Sequence, residues 1–198
     1  MRKLIAPCLL LCALAGAAAA DDFGRSYDTF QSLYADNVNF INENTGRHLL
    51  PHKYSASFDT EGKRFYAIAS GALYSEIYLD DMFSQIASCK ITLQAPEGMS
   101  YGDSKHADFT VAGYHSYALI MAMHDDESAA GRYRLVEDIN AGLAAGNGEY
   151  TKQVGDYRLT CRSEGSSVTM LFENELLMGK ETETEDETDP QVEITLGK

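Results

Sequence analysis

The stretch Tyr157–Asn174, YRLTCRSEGSSVTMLFEN, constrains the fold more than any other part of this chain. Val168, Met170 and Phe172 alternate with Thr169, Leu171 and Glu173, and Leu159 and Cys161 share a face on the preceding arm. Side chains along a strand point to opposite faces in turn, so each arm has one apolar side. Ser163-Glu164-Gly165-Ser166 supplies a glycine-containing turn between the arms, and the whole reads as a β-hairpin.

Cys161 raises the question of a partner. Residues 1–20, MRKLIAPCLLLCALAGAAAA, read as a signal peptide. Arg2 and Lys3 precede an apolar stretch too short to span a bilayer, and Ala18-Ala19-Ala20 form the small-residue site for cleavage following Ala20. Cys12 follows Leu11 rather than a small residue, which argues against a lipoprotein. Cleavage removes Cys8 and Cys12, leaving Cys89 and Cys161, an even count in an exported chain. They stand 72 positions apart. Bridging them closes a loop that stabilises the fold by about 4 kcal/mol on the chain-entropy account. A metal-binding or reactive thiol pair would want C-x-x-C spacing, which is absent, so a structural disulfide is expected.

Without its leader the chain retains 14 basic against 30 acidic residues, a net charge of −16. Residues 181–198 hold seven of the acids and one lysine, so residues 21–180 carry a net −10. With no basic stripe to meet phosphates, nucleic acid and anionic membranes are poor partners. A cationic protein is electrostatically easier. The segment ETETEDETDP (181–190) has no large apolar residue to offset its ordering entropy, and residues 181–198 read as a disordered acidic tail.

Phe23, Tyr27, Phe30, Tyr34, Val38 and Ile41 recur at steps of three and four, the apolar stripe of a helix that stops at Asn44-Thr45-Gly46. After Pro51, Tyr54, Ala56 and Phe58 alternate as a short strand. Residues 63–88 read as a long helix, because Phe65, Ile68, Ala69, Ala72, Leu79, Phe83, Ile86 and Ala87 fall on one side and β-branched residues are scarce. Leu73, Ser75, Ile77 and Leu79 also alternate, which makes a strand over 72–79 the rival. On the helix Glu76 lies about 20° from Phe65, within the apolar stripe. A carboxyl there would be desolvated and its pKa raised, as a general acid requires, so Glu76 is the one catalytic candidate.

Cys89–Ala95 reads as a strand ended by Pro96-Glu97-Gly98. Ala107–His124, capped by Asp103-Ser104, favours a buried helix, with a strand as the alternative. Asp125-Asp126-Glu127-Ser128 breaks it. Ala129, Tyr133, Val136, Ile139 and Leu143 then repeat at helical spacing until Gly146-Asn147-Gly148. These two helices should pack together through a short turn.

Metal and catalytic patterns fail on geometry. His48 and His52 have the spacing of a helical pair, but Pro51 stands between them. His106, His115 and His124 are spaced by nine, which turns neighbours to opposite sides of either a strand or a helix. Asp125-Asp126-Glu127 lacks the glycine placement of a calcium loop, Gly131 falling at the wrong position. There is no G-x-S-x-G elbow, phosphate-cradling loop or H-E-x-x-H series. No cofactor and no metal is expected. The twelve tyrosines suit stacking on sugars or anchoring an interface, although Tyr27, Tyr34 and Tyr133 fall on faces expected to be buried.

The expected fold is α+β: several helices packed on a small antiparallel sheet with one disulfide, over a single globular domain of residues 21–180. The expected function is that of a small non-catalytic protein of the periplasm or extracellular space that binds another protein, as an inhibitor or immunity-type factor does. The alternatives are a cell-envelope hydrolase using Glu76 with a histidine or tyrosine, and a small-ligand or sugar-binding module. A pocket holding Glu76 would favour the enzyme, and a flat tyrosine-lined face the protein binder. Membrane insertion is not expected, and the sequence leaves the oligomeric state open.

Overall fold

The computed structural model describes residues 24–80, 82, 84–95 and 107–178. The leader, the acidic tail, Asp103-Ser104 and His106 lie outside them. In chain order the elements are α1 (Tyr27–Thr45), β1 (Ser55–Phe58), β2 (Arg64–Ser70), β3 (Leu73–Leu79), β4 (Ile86–Gln94), α2 (Ala107–Ala122), α3 (Ala129–Ala145), β5 (Glu149–Val154), β6 (Tyr157–Glu164) and β7 (Ser167–Glu173). The seven strands form one sheet in the order β1-β2-β3-β4-β7-β6-β5, antiparallel throughout. The fold is therefore α+β, as expected. Among the described residues no helix is long and apolar enough to cross a membrane.

Helix α1 starts at Tyr27, later than its apolar repeat implied, because the Ser26 side chain accepts a hydrogen bond from the Thr29 amide and caps the first turn. It ends where expected. Gly46 takes the left-handed conformation (φ 65°) and its N–H closes onto the Asn42 carbonyl. Phe30, Tyr34, Val38 and Ile41 are buried along one stripe. Ser128 caps α3 in the same way, accepting from the Gly131 amide.

The long helix expected over 63–88 is absent. Those residues form β2, β3 and the start of β4, and the rival strand reading is the correct one for 72–79. Gly71 (φ 55°) begins the two-residue turn between Ser70 and Leu73, a conformation that the helix would have forbidden. Leu73, Ser75, Ile77 and Leu79 are buried while Tyr74, Glu76 and Tyr78 are half-buried on the opposite face. Helix propensity of the Ala, Ser and Leu residues lost to pairing with neighbours on both sides of β3.

The disulfide is also absent: Cys89 and Cys161 are buried free thiols. Strand β7 lies between their strands, with Cys89 opposite Phe172 and Cys161 opposite Met170. Two strand spacings already amount to about 10 Å, past the roughly 7 Å Cα limit for a bridge. The pairing of Cys89–Ala95 with the hairpin does occur, through backbone hydrogen bonds of β4 and β7. Hydrophobic burial, not a covalent staple, holds these distant segments together.

All three helices contribute to one core with the inner face of the sheet: Phe30, Leu119, Ile120, Ile139, Ile77, Ile91, Leu159 and Phe172 are essentially inaccessible. Burying each such side chain stabilises the fold by about 1.5–3 kcal/mol. The alternate residues of the strands form an outer face that remains half-buried or exposed. β1 and β5 are the two edges. Strand β5 carries no clear apolar alternation and was not anticipated.

Candidate functional site

The outer face of the sheet gathers residues from strands distant in sequence. Antiparallel register sets Phe65 opposite Tyr78 and Glu76 opposite Lys90. The Phe65 and Tyr78 rings stack with centroids 5.3 Å apart, and the Lys63 ammonium lies 5.7 Å from the Tyr78 ring centre. The Tyr74 hydroxyl donates to Glu76 Oε2 at 2.7 Å, and Lys90 Nζ stands 3.5 Å from Oε1. Burial first, then the hydrogen bond to Glu76, pushes the Tyr74 phenol up to about 12. It remains a donor at any physiological pH. Leu171 and the paired Thr92 and Thr169 continue this surface, and Arg158 opposite Glu173 closes it at 3.3 Å.

Glu76 thus stands on strand β3 and not on a helix. Its side chain is 19 % exposed, on the open face, with a lysine and a phenol for partners. No histidine is among those partners. The clefts lined by Arg25, Asp125 and Tyr157, by Tyr114, Tyr117 and Tyr133, and by Arg158, Glu173 and Asn174 do not include it.

A second polar cluster lies between α1, α2 and the connector before β1. His115 is 2 % exposed and its Nδ1 lies 2.9 Å from the Tyr34 hydroxyl, which also accepts from the His52 amide at 3.2 Å. The His52 and His115 rings meet at 4.1 Å. The set is satisfied when the phenol donates to Nδ1 and the proton of His115 resides on Nε2. Burial lowers the His115 pKa to about 4, with His52 adding to the effect, and burial lowers that of His52 as well. Both rings are neutral at pH 7. Nothing in the spacing of residues 52 and 115 announces this meeting.

The remaining candidates hold loops. His124 Nδ1 accepts from the Asp126 amide at 3.0 Å, Asp125 pairs with Arg25 at 2.6 Å, and Asp126 Oδ1 accepts from the Ser128 amide and hydroxyl. His48 is exposed. Among the described residues no group of three or more histidine, cysteine or acidic side chains is arranged to hold a metal.

On the helical layer, Phe40, Ile41, Asn44 and Thr45 of α1, Tyr114 and Tyr117 of α2 and Tyr133 of α3 line a cleft of about 340 Å³. Tyr117 stands edge-to-face with both Tyr114 (6.5 Å) and Tyr133 (6.3 Å). Tyr34 is buried as expected, whereas Tyr27 and Tyr133 are only half-buried.

Comparison with protein-family models, with curated proteins and with solved structures finds no match to this chain.

Proposed function

We propose that this is an exported, non-catalytic protein that binds another protein through the open face of its sheet, as an inhibitor- or immunity-type factor of the periplasm or extracellular space. The observation that carries this reading is the stacked pair Phe65 and Tyr78, with Tyr74 and Leu171 on the same sheet face, over which, among the described residues, no helix packs. Aromatic residues dominate binding energy at interfaces, because a rigid ring buries much area at small entropic cost and its hydroxyl stays hydrated. The ion pair Glu76–Lys90 lies between Tyr74, Tyr78 and Leu171, and Arg158–Glu173 borders the face on the side of β6, so each charge near the rings has a partner. A net charge of −10 over residues 21–180 favours a cationic partner. Export rests on residues 1–20 alone, since no disulfide supports it.

The test is a comparison of wild type with Tyr74→Ala/Tyr78→Ala in quantitative cross-linking to envelope extracts at low salt. A partner recovered with wild type and lost with the double variant, at unchanged circular dichroism, supports this reading. Recovery of the same proteins by both overturns it.

A further inference from the structure

The tyrosine hydroxyls differ in whether the protein supplies them a partner. The hydroxyls of Tyr34, Tyr54, Tyr74 and Tyr157 all have protein partners, at 2.7–2.9 Å. Those of Tyr114, Tyr117 and Tyr133 have none among the described residues. These three side chains are half-buried and their hydroxyls are not among the buried polar atoms without a partner, so they face solvent and are open to a ligand. Here three such phenols converge on one cleft with Phe40, over a floor formed by buried Ile41.

The polar groups at the cleft restrict what it can hold. Asn44 Nδ2 already donates to the Phe40 carbonyl and Thr45 Oγ1 to the Ile41 carbonyl. Among the described residues no carboxylate lines it. A sugar needs several fixed donors and acceptors around its ring, and these walls offer ring faces, ring edges and rotatable hydroxyls instead. Tyr117 in the middle of two edge-to-face contacts is a geometry that another aromatic ring extends.

Charge then sets the ligand's direction. Arg47 follows α1 directly, lies 5.8 Å from the Tyr114 ring centre, is exposed, and makes no ion pair among the described residues. A free guanidinium beside an aromatic wall is a fitting receptor for a carboxylate, which it meets with two parallel hydrogen bonds. At the opposite wall Glu137 lies close enough to Tyr133 to raise its pKa, after burial and Tyr117. That end repels an anion.

We propose that the cleft between α1, α2 and α3 binds a planar aromatic carboxylate, its rings packed among Tyr114, Tyr117, Tyr133 and Phe40 and its carboxylate at Arg47. This site is on the helical layer, so it is separate from the sheet face of the preceding proposal.

The chain has no tryptophan, so tyrosine emission reports directly on a ligand in this cleft. The probes are 2-naphthoate, its neutral counterpart 2-naphthalenemethanol, and methyl glucoside. The expected result is saturable quenching of tyrosine emission by 2-naphthoate, weakened about tenfold by Arg47→Gln, as for loss of a charged hydrogen bond. Binding of the neutral alcohol is unchanged by Arg47→Gln, and Tyr117→Leu weakens both naphthalenes. Arg47 is exposed, so its variant folds even where Tyr117→Leu does not. The double variant Tyr74→Ala/Tyr78→Ala keeps naphthoate binding, which separates failure of either proposal from failure of the other. Absence of saturable naphthoate binding, preference for the glucoside, or indifference to Arg47→Gln each overturns the assignment.

Discussion

Arg132 and Asn37 form a buried clasp: Nε and Nη2 of the guanidinium both donate to the carboxamide oxygen, at 3.0 and 2.8 Å. Nη1 donates to the carbonyls of Asp126 and Glu127, and Asn37 Nδ2 donates to the Ala118 carbonyl. One charge with neutral partners thereby joins α1, α2 and the start of α3. Asn37→Ala leaves Nε and Nη2 of that charge without an acceptor, and the expected loss is about 3 kcal/mol, read from urea unfolding midpoints. Arg132→Met removes the charge as well as its partner's donor, and is expected to be less damaging than Asn37→Ala.

The two cysteines should behave as inert packing groups. Burial pushes both thiols up to about 12, so neither forms thiolate at neutral pH. The intact mass is expected to be that of the fully reduced protein, a thiol reagent should label Cys89 and Cys161 only after unfolding, and Tm should not change with reductant. A shift of Tm on reduction would restore the bridge that the register of β4, β7 and β6 forbids.

Acid should weaken the fold through His115. The ring binds a proton near pH 6.5 when unfolded but only near pH 4 when folded, because burial opposes its charge. Between those values the unfolded chain holds more protons, so stability rises with pH there; it is complete above about 6.5 and lost as the pH falls to about 4. The shift corresponds to at most about 3 kcal/mol. His52 and His124, whose pKa values are also lowered by burial, act in the same sense. Comparing urea midpoints at pH 7 and pH 4.5, the wild type should lose more stability than His115→Gln.

Two glycines within or at the start of helices should respond oppositely to alanine. A Cβ on Gly113 meets nothing within 4 Å among the described residues, so Gly113→Ala should stabilise by about 0.5–1 kcal/mol through helix propensity. A Cβ on Gly131 would stand 2.1 Å from the Asp126 carboxylate, which holds the turn into α3. Gly131→Ala should therefore lower Tm. Thermal melts of the two variants side by side check both signs.

What a single sequence displays is local repetition, and the elements it displays well are those with a clean period. The stripe Phe30, Tyr34, Val38 and Ile41, the repeat Tyr133, Val136, Ile139 and Leu143, and the alternation Val168, Met170 and Phe172 all predicted their elements. Residues 64–79 failed because alanine, serine and leucine score as helix formers while Gly71 quietly makes a turn. Even so, the alternation of Leu73, Ser75, Ile77 and Leu79 was visible and should have outweighed composition. Cys89 and Cys161 were paired by counting, which takes no account of a strand inserted between two others. The contacts of His52 with His115, of Arg132 with Asn37 and of Phe65 with Tyr78 depend on topology, and no local pattern encodes them. The tyrosines of the cleft were visible as a composition, but which of them stay unpaired is a property of the fold.

The first edge of the sheet, Ser55–Phe58, is exposed throughout, and Phe58 is 67 % accessible. It carries no charge of its own, nor a proline within it, which are the usual guards against strand recruitment. Its defence is brevity: four residues present too few free amides and carbonyls for a neighbouring molecule to zip onto. Carrying this strand back through position 51 would turn a quiet border into a template for polymers, and Pro51, which has no N–H to offer a neighbour, stands in the way of that extension.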